Sequence, residues 1–144
     1  MSELRIREVE QDEDFAAWFS ELVAEVDEAE GWGSPSYDRY LVLSNEIGDW
    51  IGGLRYSLRG GVAHLLEVAV VPEERHRGYA HRLLAAFEER SADSGAHLAE
   101  FWTDDLESEG LLAALGWRVV LRRENYIGGR SWSLMEKTLG PGSD

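Results

Sequence analysis

The stretch Leu65-Leu66-Glu67-Val68-Ala69-Val70-Val71-Pro72-Glu73-Glu74-Arg75-His76-Arg77-Gly78-Tyr79-Ala80-His81-Arg82-Leu83-Leu84 decides how the rest of this chain is read. It opens as an apolar, partly β-branched run of the kind that pairs in a sheet, and Pro72 stops it. A basic turn containing Gly78 follows, and the apolar residues Ala80, Leu83, Leu84 and Phe87 then recur at helical spacing. The pattern predicts a strand feeding a helix through an Arg-x-x-Gly-x-Ala turn. The first amides of a helix lack intrahelical partners and sit at the positive end of its dipole, so such a turn suits a pyrophosphate.

Outward from this unit, the order of elements is readable in both directions. Leu4 to Val9 alternates and reads as a short first strand; Phe15, Trp18, Phe19, Leu22 and Val26 form the stripe of an amphipathic helix after acids at 12–14. Glu28 to Tyr37 carries Gly, Pro and Ser and reads as a loop, whose Trp32 and Tyr37 either cover a core edge or line a substrate mouth. Tyr40–Leu43, Trp50–Leu58 and Val62–Val71 read as an antiparallel meander, with Gly52-Gly53 marking a bulge or a close backbone approach. The central helix should run to about Asp93 before Ser94-Gly95, then a strand over Ala96–Trp102, a short helix ended by Gly116, and strands over Trp117–Arg122 and Ser131–Leu139. The helical crossover makes Val62–Val71 and Ala96–Trp102 parallel neighbours. The basic turn then lies at the C-terminal end of a central strand, where α/β sheets place ligands.

Composition bounds what such a domain can do. The chain has 144 residues, 44% of them apolar, with six tryptophans, so it can bury a core. It has no cysteine, which excludes disulfides and thiolate chemistry. Twenty-eight acids against 14 bases give a net charge of −14, a surface that repels phosphate backbones, so nucleic acid is not an expected partner. Lys137 is the single lysine. No signal pattern or membrane-length apolar run is visible, so the expectation is a soluble, cytoplasmic protein without a membrane partner. The histidines show no paired-ligand spacing, and no metal is expected. Residues 1–139 read as one domain and 140–144 as a disordered tail.

With these elements in place the chain resembles the GNAT superfamily of GCN5-related N-acetyltransferases. Arg75-His76-Arg77-Gly78-Tyr79-Ala80, preceded by Val70-Val71-Pro72, is similar to the family's Arg/Gln-x-x-Gly-x-Gly/Ala motif; Leu111-Leu112-Ala113-Ala114-Leu115-Gly116-Trp117 is similar to its short helix ending in Gly-Phe. The order of elements agrees from Leu4 to Leu139. The resemblance implies an α/β fold with a mixed, mostly antiparallel sheet of six to seven strands flanked by about four helices. It implies acetyl-CoA as co-substrate and transfer of acetyl to an amine acceptor, small molecule or peptide, by direct attack in a ternary complex. It also implies that Arg75, His76, Arg77, Gly78, Tyr79 and Ala80 hold the pyrophosphate, and that unpaired backbone groups of Val68 and Val70 bond the pantetheine arm. Dimers are common in the family, and terminal edge strands are compatible with a homodimer.

Two strand residues are candidates for the proton acceptor. His64, eleven residues before Arg75, lies where family members often place a strand base, and Glu67 is the other candidate. Strict alternation puts the two on opposite faces, although a bulge would change that parity; Glu67, deeper in the strand, ranks slightly ahead. The tyrosine that many members carry four residues before the helix-ending glycine is Leu112 here, and the asparagine often found before that helix corresponds roughly to Asp105. Either Tyr126 donates the proton, water does, or the thiolate leaves unassisted. The missing tyrosine keeps a second reading open, a non-catalytic acyl-CoA-binding module on the same fold.

Overall fold

The structure, a computed structural model, describes residues 4–10, 13–31 and 38–140. These fall into two compact units, residues 1–35 and 36–144. In the first, α1 (Glu13–Glu30) opens on the acids Glu13 and Asp14, which suit the positive end of a helix. Its stripe begins as an aromatic cluster, with Phe15 centred 5.7 Å from Trp18 and 5.8 Å from Phe19. The strand expected at Leu4–Val9 does not form. Residues 4–10 are irregular, and Leu4 and Ile6 are 98% and 103% exposed. Alternation over six residues specifies a strand only where an edge is available to pair with, and no ladder forms at this one.

The second unit is built on a six-stranded mixed sheet in the order β1-β2-β3-β4-β6-β5. Its strands are β1 (Asp38–Ser44), β2 (Trp50–Arg59), β3 (Val62–Val70), β4 (Leu98–Thr103), β5 (Arg118–Arg123) and β6 (Trp132–Thr138). Only β3 and β4 are parallel, as the intervening α2 (Tyr79–Asp93) requires. With α3 (Leu106–Ala114) the α-helices number three among the described residues, and two single 3₁₀ turns complete the helical content. The last strand, β6, inserts between β4 and β5 and is antiparallel to both.

One core gathers residues from α2, α3 and one face of the sheet. Leu54, Tyr56, Ala63, Leu65, Ala99 and Met135 meet Leu83, Leu84 and Phe87 of α2 and Leu112 of α3. Phe87 is the hub: Tyr56 meets it edge-on at 5.1 Å and Trp117 stacks at 6.4 Å. Phe87 is fully buried, so Phe87→Ala should cost about 3–5 kcal/mol of stability, read as a lower denaturation midpoint. Gly116, at φ +94, closes α3 as expected: its N–H donates to Ala113 O and that of Trp117 to Leu112 O. The single lysine reinforces this end, Lys137 donating to Leu115 O at 2.8 Å and pairing with Glu88 of α2 at 2.6 Å.

Gly52 and Gly53 mark a close approach, and a bulge adjoins them: Leu43 pairs with Gly52 and Ser44 with Trp50, leaving Ile51 as an extra residue in β2. A Cβ on either would lie 2.9 Å from a backbone oxygen, that of Ala69 or Leu41. The bulge that matters lies further along. Arg55 pairs with Glu67 and Tyr56 with Leu65, leaving Leu66 as the extra residue in β3.

Candidate active site

The centre of the site is the connection from β3 to α2. Pro72–Glu74 forms a 3₁₀ turn, Arg75 is extended, and His76 and Gly78 both have left-handed backbones, with φ of +64 and +79. Gly78 is the N-cap of α2; no side chain caps this helix and its first turn carries no acid. The contrast with α3 is informative. There Asp105 caps the helix by accepting from Glu107 N at 3.1 Å, and acids follow in the first turn. The start of α2 has no such cap, its free amides can donate to an anion, and a Cβ placed on Gly78 would meet nothing within 4 Å. Gly78, Tyr79, Ala80 and His81 line a cleft of about 550 Å³ together with Val68–Val70, Arg75 and His76.

The far wall of this cleft is the start of α3, with Asp105, Glu107, Ser108 and Leu111. Ser108 Oγ donates to the Asp105 carboxylate at 2.9 Å. That bond is the main cause holding the Asp105 carboxyl below its ordinary value of 3.8; partial burial opposes it, while the Glu107 and Ser108 amides and the charge of Arg130 add to it. A carboxyl depressed in the folded state stabilises the fold above its unfolded value and loses that contribution as pH falls through the folded one. Wild type should therefore lose stability relative to Asp105→Asn, which caps without titrating, as pH drops below about 4 in denaturation series.

The second element of the site is a gap in the sheet. The β3–β4 ladder runs only from Val62–Leu98 to Leu65–Phe101; beyond that rung the strands pair no further. Val71 N–H donates to Ile51 O of β2, so by antiparallel alternation the backbone groups of Val68 and Val70 point the other way, into the gap. Val70 O accepts from Arg75 Nε at 3.1 Å, which ties the arginine to the strand end. Arg77 does not line the cleft: it pairs with Glu74 at 3.2 Å and faces a second depression beside Asn45 and Arg82.

The bulge at Leu66 changes the expected geometry of the two base candidates. Leu54 and Tyr56 are buried, and their partners Val68 and Leu65 share their face; Arg55 and Ser57, paired with Glu67 and His64, point away from the core. Glu67 and His64 therefore lie on one face of the sheet, not on opposite faces as strict alternation requires. Glu67 is bound by Arg55, which also holds Asp38 at 2.7 Å. Those two carboxylates, Asp38 first, raise Arg55 above its already high value. His64 Nδ1 lies 3.5 Å from Glu100 Oε2, its register partner on β4.

The remaining expectations divide. Tyr126 packs against Trp102, centroids 5.5 Å apart, with the Arg123 guanidinium 4.4 Å above its ring. Trp102, two residues beyond Glu100 on β4, carries this cluster on the same outer face, one residue past the last β3–β4 rung. Leu112 is 2% exposed and belongs to the core; Leu111 lines the cleft instead. Trp32 and Tyr37 lie outside the described residues. Sequence reasoning missed Arg55 and Glu100, whose relevance comes only from strand register. No group of potential metal ligands occurs among the described residues, and no helix there is long and apolar enough to cross a membrane.

Comparison with known proteins agrees with this geometry. No curated protein matches the chain in sequence. Among solved structures, a Bacillus cereus acetyltransferase superposes with a TM-score of 0.73 at 21% identity, covering 92% of this chain and 98% of its own. The ribosomal-protein-S18-alanine N-acetyltransferase of Escherichia coli gives 0.66 at 19%, covering 94% of each chain. An Agrobacterium tumefaciens protein provisionally named an acetyltransferase gives 0.77 at 22%, covering 96% of this chain and 100% of its own. At these identities the likeness is one of fold. The sequence profile of the acetyltransferase (GNAT) family, however, matches residues 4–117 directly, over the strand, turn and helix just described, and the chain belongs to that family.

Proposed function

We propose that this chain is an acetyl-CoA-dependent N-acetyltransferase acting on an amine in a ternary complex, with residues 1–139 as one N-acetyltransferase domain. The observation that carries this reading is a single cleft in which an uncapped helix start, opened by left-handed Gly78, meets the unpaired end of β3. The residues fit the co-substrate. The amides of Gly78 to His81 offer donors for a pyrophosphate with open space in front of Gly78, and Val68 and Val70 offer strand-like pairing to an amide-bearing arm. Acetyl-CoA supplies the activated acyl thioester when bound. The acceptor nitrogen bonds the acyl carbon as the carbon–sulfur bond breaks, and the acceptor's proton passes to the enzyme or to water.

His64 is the residue we assign to take that proton. The gap closes at Leu65–Phe101, next to the His64–Glu100 rung, so an arm running from Gly78 along β3 ends beside His64, whose side chain lies on the face of the sheet away from the core and does not line the cleft itself. Glu67 is already engaged by Arg55, whereas His64 keeps Nε2 directed away from its Glu100 contact. The buried Leu112 favours one alternative, an acyl-CoA-binding module without turnover, because it places no proton donor at the cleft.

Release of CoA thiol from acetyl-CoA, measured against a panel of primary amines including peptide N-termini, polyamines and lysine, tests the choice. Amine-dependent release supports the transferase. Tight acetyl-CoA binding without release on any amine supports the module.

A further inference from the structure

We propose that Glu100 is a positioning residue that holds the His64 imidazole in the tautomer able to accept a proton. This rests on the assignment of His64 as proton acceptor. Among the described residues on the outer face of the sheet, carboxylates are matched with arginines: Asp38 and Glu67 with Arg55, and Glu136 with Arg118. Glu100 is the exception. Its register partner on β6 is Glu136, already held by Arg118, and the ionic contact described for Glu100 is His64. The other strand neighbour of His64 is the uncharged Ser57 on β2.

The contact joins Nδ1 to the carboxylate at 3.5 Å. A carboxylate accepts and does not donate, so it selects the imidazole form with its proton on Nδ1 and leaves the Nε2 lone pair for an incoming proton. Both side chains are partly buried, at 42% and 31% exposed, which lessens competition from water. Their backbones are fixed as well. His64–Glu100 is a rung of the parallel ladder, one residue before the ladder ends, so Glu100 is held in register with the imidazole where the gap begins. Distances of this kind commonly tighten when the reacting complex forms.

The test pairs a tautomer measurement with kinetics on the full chain. In wild type, ¹⁵N spectra of neutral His64 should show the Nδ1–H form predominating; in Glu100→Ala the Nε2–H form should gain. With the most active amine, Glu100→Ala should lower kcat about 10- to 100-fold, the range found when the partner orienting a metal-bound imidazole is removed, with the KM for acetyl-CoA unchanged. Glu100→Gln, whose carbonyl can accept from Nδ1–H, should recover part of the loss. In a His64→Ala background Glu100→Ala should cost nothing further. A wild-type tautomer spectrum in Glu100→Ala, or an equal loss of kcat in both backgrounds, overturns the positioning role. Full activity in His64→Ala overturns the proton-acceptor assignment itself, a different outcome from either.

Discussion

Gly78→Glu should weaken acetyl-CoA binding by at least about 100-fold, equivalent to some 2.7 kcal/mol in binding calorimetry. Three effects act at this position. The left-handed backbone, φ +79, disfavours any side chain by about 1–2 kcal/mol, a cost that falls on the fold. A Cβ would project into space that is open in this structure and that we assign to the pyrophosphate. The carboxylate then faces a like charge, and at about 4 Å in a surface environment that repulsion is worth roughly 4 kcal/mol, enough to dominate. Gly78→Ala separates the terms: it keeps the strain and the Cβ without the charge and should lose only about tenfold. Wild-type affinity in Gly78→Glu would remove the pyrophosphate from this turn.

His64→Ala should lower kcat by about 10²–10⁴ at saturating acetyl-CoA and amine, the usual contribution of a general base, with little change in acetyl-CoA affinity. Glu67→Gln made in parallel should stay within a few-fold of wild type. Its carboxylate is committed to Arg55, and a glutamine carbonyl keeps a hydrogen bond to that guanidinium. The two variants decide between the candidates. A large loss in Glu67→Gln with His64→Ala intact would transfer the role to Glu67 and detach Glu100 from the chemistry.

Much of this site could be read from the chain because its signals are local. Pro72, Gly78 and Gly95 punctuate β3, α2 and its end, and the helix end expected near Asp93 is where Tyr79–Asp93 stops. Gly116 stops α3 through the left-handed backbone that glycine alone adopts freely. The relation of His64 to Glu67 was not legible, since a bulge adds one residue without altering composition, and its position is fixed by pairing with β2. Glu100 was hidden for a related reason. It is 36 residues from His64 and becomes its neighbour only through the parallel register. Alternation over Leu4–Val9 shows only what that segment could do with a partner strand, and none is available to it among the described residues.

The open end of the β3–β4 ladder also makes the enzyme able to report its own occupancy. Amide hydrogens at Val68 and Val70, with no strand across from them, should exchange with solvent deuterium within seconds to minutes in the free protein, while those of Val62 to Leu65 exchange far more slowly. Saturating acetyl-CoA should slow the first pair selectively, so mass spectrometry on peptides from β3 would time the filling of the gap without any acceptor being known. Equal uptake with and without acetyl-CoA would mean that the arm does not run along this strand.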